Sequence, residues 1–101
     1  LKTLGELLRE LREQKGLLLR QVAAAIEADT AMISKFEKGE RKPTREQLNG
    51  LAKVLDANVA ELTILYLSER VANDLKDESY AKEALKQAEK KIDYLKKKGK
   101  K

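Results

Sequence analysis

Thr30, Ala31, Met32, Ser34 and Lys35 surround two large apolar residues, Ile33 and Phe36, which stand three apart and so share one face of a helix. The other five occupy the remaining surface. All are short or flexible enough to approach base edges in a DNA major groove without collision. From Thr30 to Arg45 there are five cations (Lys35, Lys38, Arg41, Lys42, Arg45) against two anions (Glu37, Glu40), which concentrates positive potential around that helix. The net charge of +5 carries less weight, because Lys96, Lys97, Lys98, Lys100 and Lys101 supply all of it. Covalent chemistry lacks its parts. With no Cys and no His there is no thiol nucleophile, soft metal ligand, disulfide or usual general base. These residues point to recognition rather than catalysis, with no metal or cofactor required.

Two short helices meeting at a sharp corner would position such a surface. Val22, Ala23, Ala24, Ala25 and Ile26 are mostly small, which lets a second helix cross closely at a steep angle. Asp29 can cap that second helix, and Gly39 can close it in the left-handed conformation before the basic loop Glu40-Arg41-Lys42-Pro43. Upstream, Leu4, Leu7, Leu8 and Leu11 repeat at helical spacing, predicting a first helix over Leu4–Gln14 closed by Gly16. The second and third helices are predicted over Leu19–Ile26 and Thr30–Lys38. Thr44-Arg-Glu-Gln47 matches a capping box and starts a fourth helix with an inward stripe of Leu48, Leu51, Ala52 and Leu55. Asn58-Val-Ala-Glu61 is a second such box, opening a fifth helix over Val59–Leu75. Ala, Leu, Glu, Lys and Gln dominate and no alternating β-branched run occurs, so the chain is predicted to be all-α.

The apolar set of the fifth helix (Leu62, Ile64, Leu65, Tyr66, Leu67, Val71, Leu75) is too broad for one packed face. A sixth helix, from about Ser79 to Lys97, carries Ala81, Leu85, Ala88, Ile92 and Leu95 at alternating spacings of four and three, a heptad seam. The seam either packs back on the fifth helix of its own chain or meets a second subunit. The surplus apolar surface favours the subunit, with Leu65, Tyr66, Leu85, Ala88, Ile92 and Leu95 as dimerisation residues. The Lys-rich end reads as a solvated tail, with phosphate contact as the alternative. No run approaches the length of a membrane span and no signal-peptide pattern is present, so a soluble cytoplasmic protein is expected.

Leu4 to Leu62 resembles the lambda-repressor-like, xenobiotic-response-element (XRE) family of bacterial and phage transcription regulators. The most specific piece is Ile33-Ser-Lys-Phe-Glu37-Lys-Gly39-Glu-Arg41-Lys-Pro43, where the family shows an apolar-Glu-polar-Gly ending before a basic, Pro-containing loop. The resemblance implies a five-helix DNA-binding domain over residues 1–62, with residues 63–101 as a C-terminal helical extension for dimerisation. It implies that Thr30, Ala31, Ser34 and Lys35 read bases, with Met32 against a thymine methyl, and that Lys38, Arg41 and Lys42 lie near phosphates. It further implies an Arg12–Glu37 pair, which at a helix junction is a structural clamp rather than a DNA contact. Two departures stand out. Leu18 and Leu19 replace the family's Ser or Thr cap and a Gln that bonds the DNA backbone, leaving Arg20 or Gln21 to reach a phosphate. Glu27 occupies the turn where the family prefers Gly, which costs on the order of 1 kcal/mol if the left-handed conformation is kept.

The resemblance thus implies a dimeric, sequence-specific regulator that sets the third helix of each subunit into a pseudo-palindromic double-stranded DNA site. An autoregulating repressor or controller protein of a restriction–modification operon is the leading expectation. An antitoxin with a toxin partner is the second. A helical protein-interaction adaptor is the rival from another class and predicts no salt-dependent DNA binding. An RNA stacking platform is missing, since Tyr66, Tyr80 and Tyr94 lie outside the helix pair and Phe36 faces inward.

Overall fold

Six helices follow one another: α1 (Leu4–Gln14), α2 (Leu19–Ala25), α3 (Thr30–Lys38), α4 (Arg45–Val54), α5 (Val59–Leu75) and α6 (Ala81–Gly99). The computed structural model describes residues 1–99; the last two lysines of the basic tail, Lys100 and Lys101, lie outside the described residues. No strand occurs among the described residues. α6 begins later than the sequence predicts. The carbonyl of Tyr80 accepts the first helical bond, from the Ala84 N–H at 2.9 Å, which makes Tyr80 the cap and leaves Ser79 outside.

The helix starts follow side-chain chemistry. Thr3 and Glu6 form a full capping box on α1, and Thr44 and Gln47 another on α4. The Thr3 backbone N–H and then its hydroxyl hold the exposed Glu6 carboxyl below its ordinary range. At Asn58 the observed half of the box is Oδ1 accepting from the Glu61 N–H at 3.1 Å.

The ends of α1 to α4 share one device. A residue in the left-handed conformation turns the chain, and the next N–H returns to a carbonyl five residues back. Leu17 thus donates to Arg12, Ala28 to Ala23, Glu40 to Lys35 and Ala57 to Ala52, at 2.8–3.0 Å. Glycine fills the left-handed position at Gly16 and Gly39, whereas Glu27 (φ 56°) and Asp56 (φ 53°) hold it despite a Cβ. The corner at Glu27 therefore holds the left-handed conformation with strain rather than adopting another turn.

The chain divides into two compact units, Leu1–Arg70 and the segment from Val71 onward. In the first, α1 packs on α3 and α2 packs on both α3 and α4. The core comprises Leu4, Leu8, Val22, Ala23, Ile33, Phe36, Leu48, Leu51, Ala52, Leu55 and Leu62. Gly5 permits the closest approach. A Cβ there would sit 2.5 Å from the carbonyl oxygens of Phe36 and Glu37, so any side chain would force α1 off the end of α3. This unit runs past Leu62, because Leu65 and Tyr66 still pack against its core and a Glu69 carboxylate oxygen accepts the N–H of Leu4 at 2.5 Å. In the second unit, α6 has no buried residue.

Candidate nucleic-acid interface

α3 is fixed before it is exposed. Ile33 and Phe36 are each only 2% accessible, anchoring the inner face of the helix in the core. Asp29 accepts the N–H of Met32 at 2.8 Å and starts the helix, and Gly39 ends it, as the sequence predicts.

The two flanks are tied to different neighbours. On one side Glu37 meets Arg12 of α1 in a two-pronged contact: Nε to Oε2 at 2.7 Å and Nη2 to Oε1 at 3.1 Å. The third guanidinium nitrogen, Nη1, donates to the Leu17 carbonyl at 3.0 Å. One side chain therefore ties α1, α3 and the corner before α2. Only 14% of the Arg12 side chain and 8% of that of Glu37 reach solvent, and the bond to Glu37 pushes the Arg12 pKa up against the opposing effect of burial. On the other side Gln47 closes its capping box through Oε1 and donates Nε2 to the Met32 sulfur at 3.4 Å.

Thr30, Ala31, Lys35 and Lys38 are exposed along the outer surface of α3, with Ser34 half-buried beside them. Met32 stands apart. It is half-buried against the core and its sulfur is engaged by Gln47, so it lies on the flank facing α4 rather than at the centre of the outer face. Arg41 and Lys42 are exposed, and the N–H groups of Glu40 and Arg41 both return to the Lys35 carbonyl, at 2.9 and 3.3 Å. Those bonds hold the basic loop against the last turn of α3, and Pro43, which is buried, closes it. Because Arg12 sequesters Glu37, Glu40 is the one anion on the exposed side of the Thr30–Arg45 segment, among five exposed cations.

Leu18 caps α2 without a side-chain acceptor. Gln21 compensates from the other direction: its Oε1 accepts the Leu18 N–H at 2.7 Å. The exposed amide therefore presents its Nε2 donors outward, the polarity a phosphate oxygen requires. Arg20 is exposed beside it.

The predicted dimerisation residues separate into two groups. Leu65 and Tyr66 face the core of their own unit and are half-buried there, because the inner face of α5 is set by Leu62. The outward residues of α5 are Ile64, Leu67 and Val71 instead. Leu85, Ala88, Ile92 and Leu95 are all exposed on α6.

Three contributors went unread in the sequence. In the sequence Gln47 signals capping alone, and nothing in its spacing signals the bond to Met32. Glu69 lies 65 residues from the N–H it accepts, beyond any local pattern. Gly5 did carry a signal, since a lone glycine inside an amphipathic helix marks close packing.

Residues 3–64 match a family described as a helix-turn-helix domain. Over 59 residues the chain is 37% identical to the HTH-type transcriptional regulator DdrOP3 of Deinococcus deserti, a span covering 58% of this chain and 46% of that protein. Among solved structures it is similar to the clp gene regulator ClgR of Corynebacterium glutamicum, with 32% identity and a TM-score of 0.56 over 65% of this chain and 86% of the other. It shares the fold of the P22 c2 repressor protein, crystallised with a synthetic operator: 24% identity and a TM-score of 0.59 over 61% of this chain and 94% of the other. The chain spans less than half the length of the curated relatives it matches.

Proposed function

The chain belongs to the helix-turn-helix family, in its lambda-repressor-like, xenobiotic-response-element form, and from that premise we propose that it is a sequence-specific, double-stranded-DNA-binding transcription regulator. The observation that carries this reading is the outer face of α3, a rigidly held surface of small and cationic side chains from which Arg12 has removed the Glu37 charge. Thr30, Ala31, Ser34 and Lys35 discriminate bases, and Met32 contributes from the α4 flank. Each good base contact is worth roughly 1–3 kcal/mol. Lys38, Arg41 and Lys42, with Arg20 and the outward amide of Gln21, set register on phosphates and supply most of the affinity.

The regulator acts as a dimer on a pseudo-palindrome with half-sites about one helical turn apart. The exposed seam on α6 supports this. Occupancy then follows dimer concentration, the behaviour that an autoregulating repressor of the controller kind requires. No helix among the described residues is long and apolar enough to cross a membrane.

Selection of bound sequences from a random DNA pool tests the proposal. A two-fold symmetric motif is expected, with Lys35→Ala relaxing sequence preference and Arg41→Ala weakening all sites alike while flattening the salt slope. Failure to enrich any motif at moderate salt overturns it in favour of the adaptor reading.

A further inference from the structure

Two apolar stripes in this chain are left open. On α5, Ala60, Ile64, Leu67 and Val71 are exposed and lead to half-buried Leu75, on the side opposite the core-facing Leu62, Leu65 and Tyr66. Ile64 is 68% accessible and borders a groove of about 410 Å³ lined by Lys2, Leu7, Glu61, Leu65 and Ser68. On α6 the stripe is Ala81, Leu85, Ala88, Ile92 and Leu95, with Leu95 62% accessible. Each spans about four turns with its apolar residues three or four apart, so the two are matched in length and pitch.

The residues beside the α6 stripe decide what can cover it. Lys82, Glu89 and Lys96 lie along one edge, and Ala84, Lys91 and Lys98 along the other. Pairing α6 with itself in parallel sets Lys91 opposite the partner's Lys96, twice by symmetry. Antiparallel self-pairing sets Lys82 opposite the partner's Lys96. Both register choices put lysine against lysine, and edge charges of this kind select the partner helix. The complementary charge lies elsewhere in the chain. Beside the outward stripe of α5 stand Glu61 and Asp74 against Arg70, with Asp77 and Glu78 against Lys76 just beyond the helix, whereas α6 carries seven lysines against three carboxylates.

We propose that α6 of one chain docks on the outward α5 stripe of a second copy, and reciprocally, instead of on the second copy's α6; this rests on the dimeric reading above. Two different stripes exchanged between two chains close under a two-fold axis and leave neither uncovered. Glu61 and Asp74 beside the α5 stripe then meet the lysine edges of α6.

Disulfide trapping reads this directly, because the chain has no cysteine of its own. Leu67 and Ala88 are exposed and stand at the midpoints of their stripes, so they approach each other whichever way the helices run. Mixing full-length Leu67→Cys with Ala88→Cys is expected to give a cross-linked 67–88 dimer, while Ala88→Cys alone stays uncross-linked. Efficient 88–88 cross-linking, or a mixture that yields no dimer, overturns the proposal. Sedimentation equilibrium supplies a second reading with the cysteine-free chain. Lys91→Glu with Lys98→Glu is expected to weaken the dimer about tenfold, and adding Glu61→Lys with Asp74→Lys to restore it. Strengthening by the lysine reversal alone overturns the proposal in favour of α6 self-pairing. A chain that is monomeric at every concentration and co-sediments with phosphatidylserine vesicles overturns it in favour of a membrane surface. A dimer without 67–88 contact refutes the pairing while leaving the dimeric DNA-binding reading intact, which the DNA selection tests on its own.

Discussion

α3 and α6 are both amphipathic helices with lysines on the polar side, yet one is bound into the core and the other buries nothing. The difference does not come from periodicity. α3 has two large apolar residues, and both are buried because α1 and α2 close on them. α6 has a longer apolar seam, and every residue of it except half-buried Ala81 is exposed. A stripe thus states which face wants cover, whereas charge along its edges and the elements within reach determine what supplies it.

Removing the α3 clamp gives the sharpest contrast. Arg12→Ala leaves Glu37 as an unpaired, almost buried carboxylate and is expected to cost about 3–5 kcal/mol in urea unfolding. Truncation of the apolar anchors separates the two helices next. Ile33→Ala is expected to cost about 2–4 kcal/mol, while Ile92→Ala, measured in dilute solution where chains are apart, stays within about 0.5 kcal/mol. Equal losses for the two would erase the distinction. Gly5→Ala tests how tightly α1 seats on α3: a Cβ forced against two carbonyl oxygens is expected to cost about 1–3 kcal/mol and lower the melting temperature. The smallest effect has the opposite sign. Glu27→Gly relieves the left-handed corner before α3 and is expected to stabilise by about 0.5–1 kcal/mol, the relief being partly offset by the greater freedom of glycine in the unfolded chain.

The α1–α4 region was largely legible because its signals are local. Asp29 and Thr44 cap where their side chains predict, and Gly16 and Gly39 turn the chain where a glycine is cheapest. Arg12–Glu37 followed from the family resemblance, and its geometry gives it a third partner in the Leu17 carbonyl. What was not legible depends on direction rather than composition. α5 is apolar on nearly every side, so the sequence could not tell that Leu65 and Tyr66 turn inward while Ile64 and Leu67 turn out. Glu69 on Leu4 and Gln47 on Met32 join elements whose proximity exists only after folding. The same holds for the outer face of α3: residue types suggested all five candidates, and only packing set Met32 apart.

The returning bonds at the four helix ends bear on how the first unit opens. In many proteins the corners are where amide hydrogens exchange fastest with solvent. Here the N–H groups of Leu17, Ala28, Glu40 and Ala57 are each engaged by a helix carbonyl. Their exchange should therefore be slow and follow the unfolding of the helices they close, making the corners part of one cooperative unit rather than hinges between separate rods.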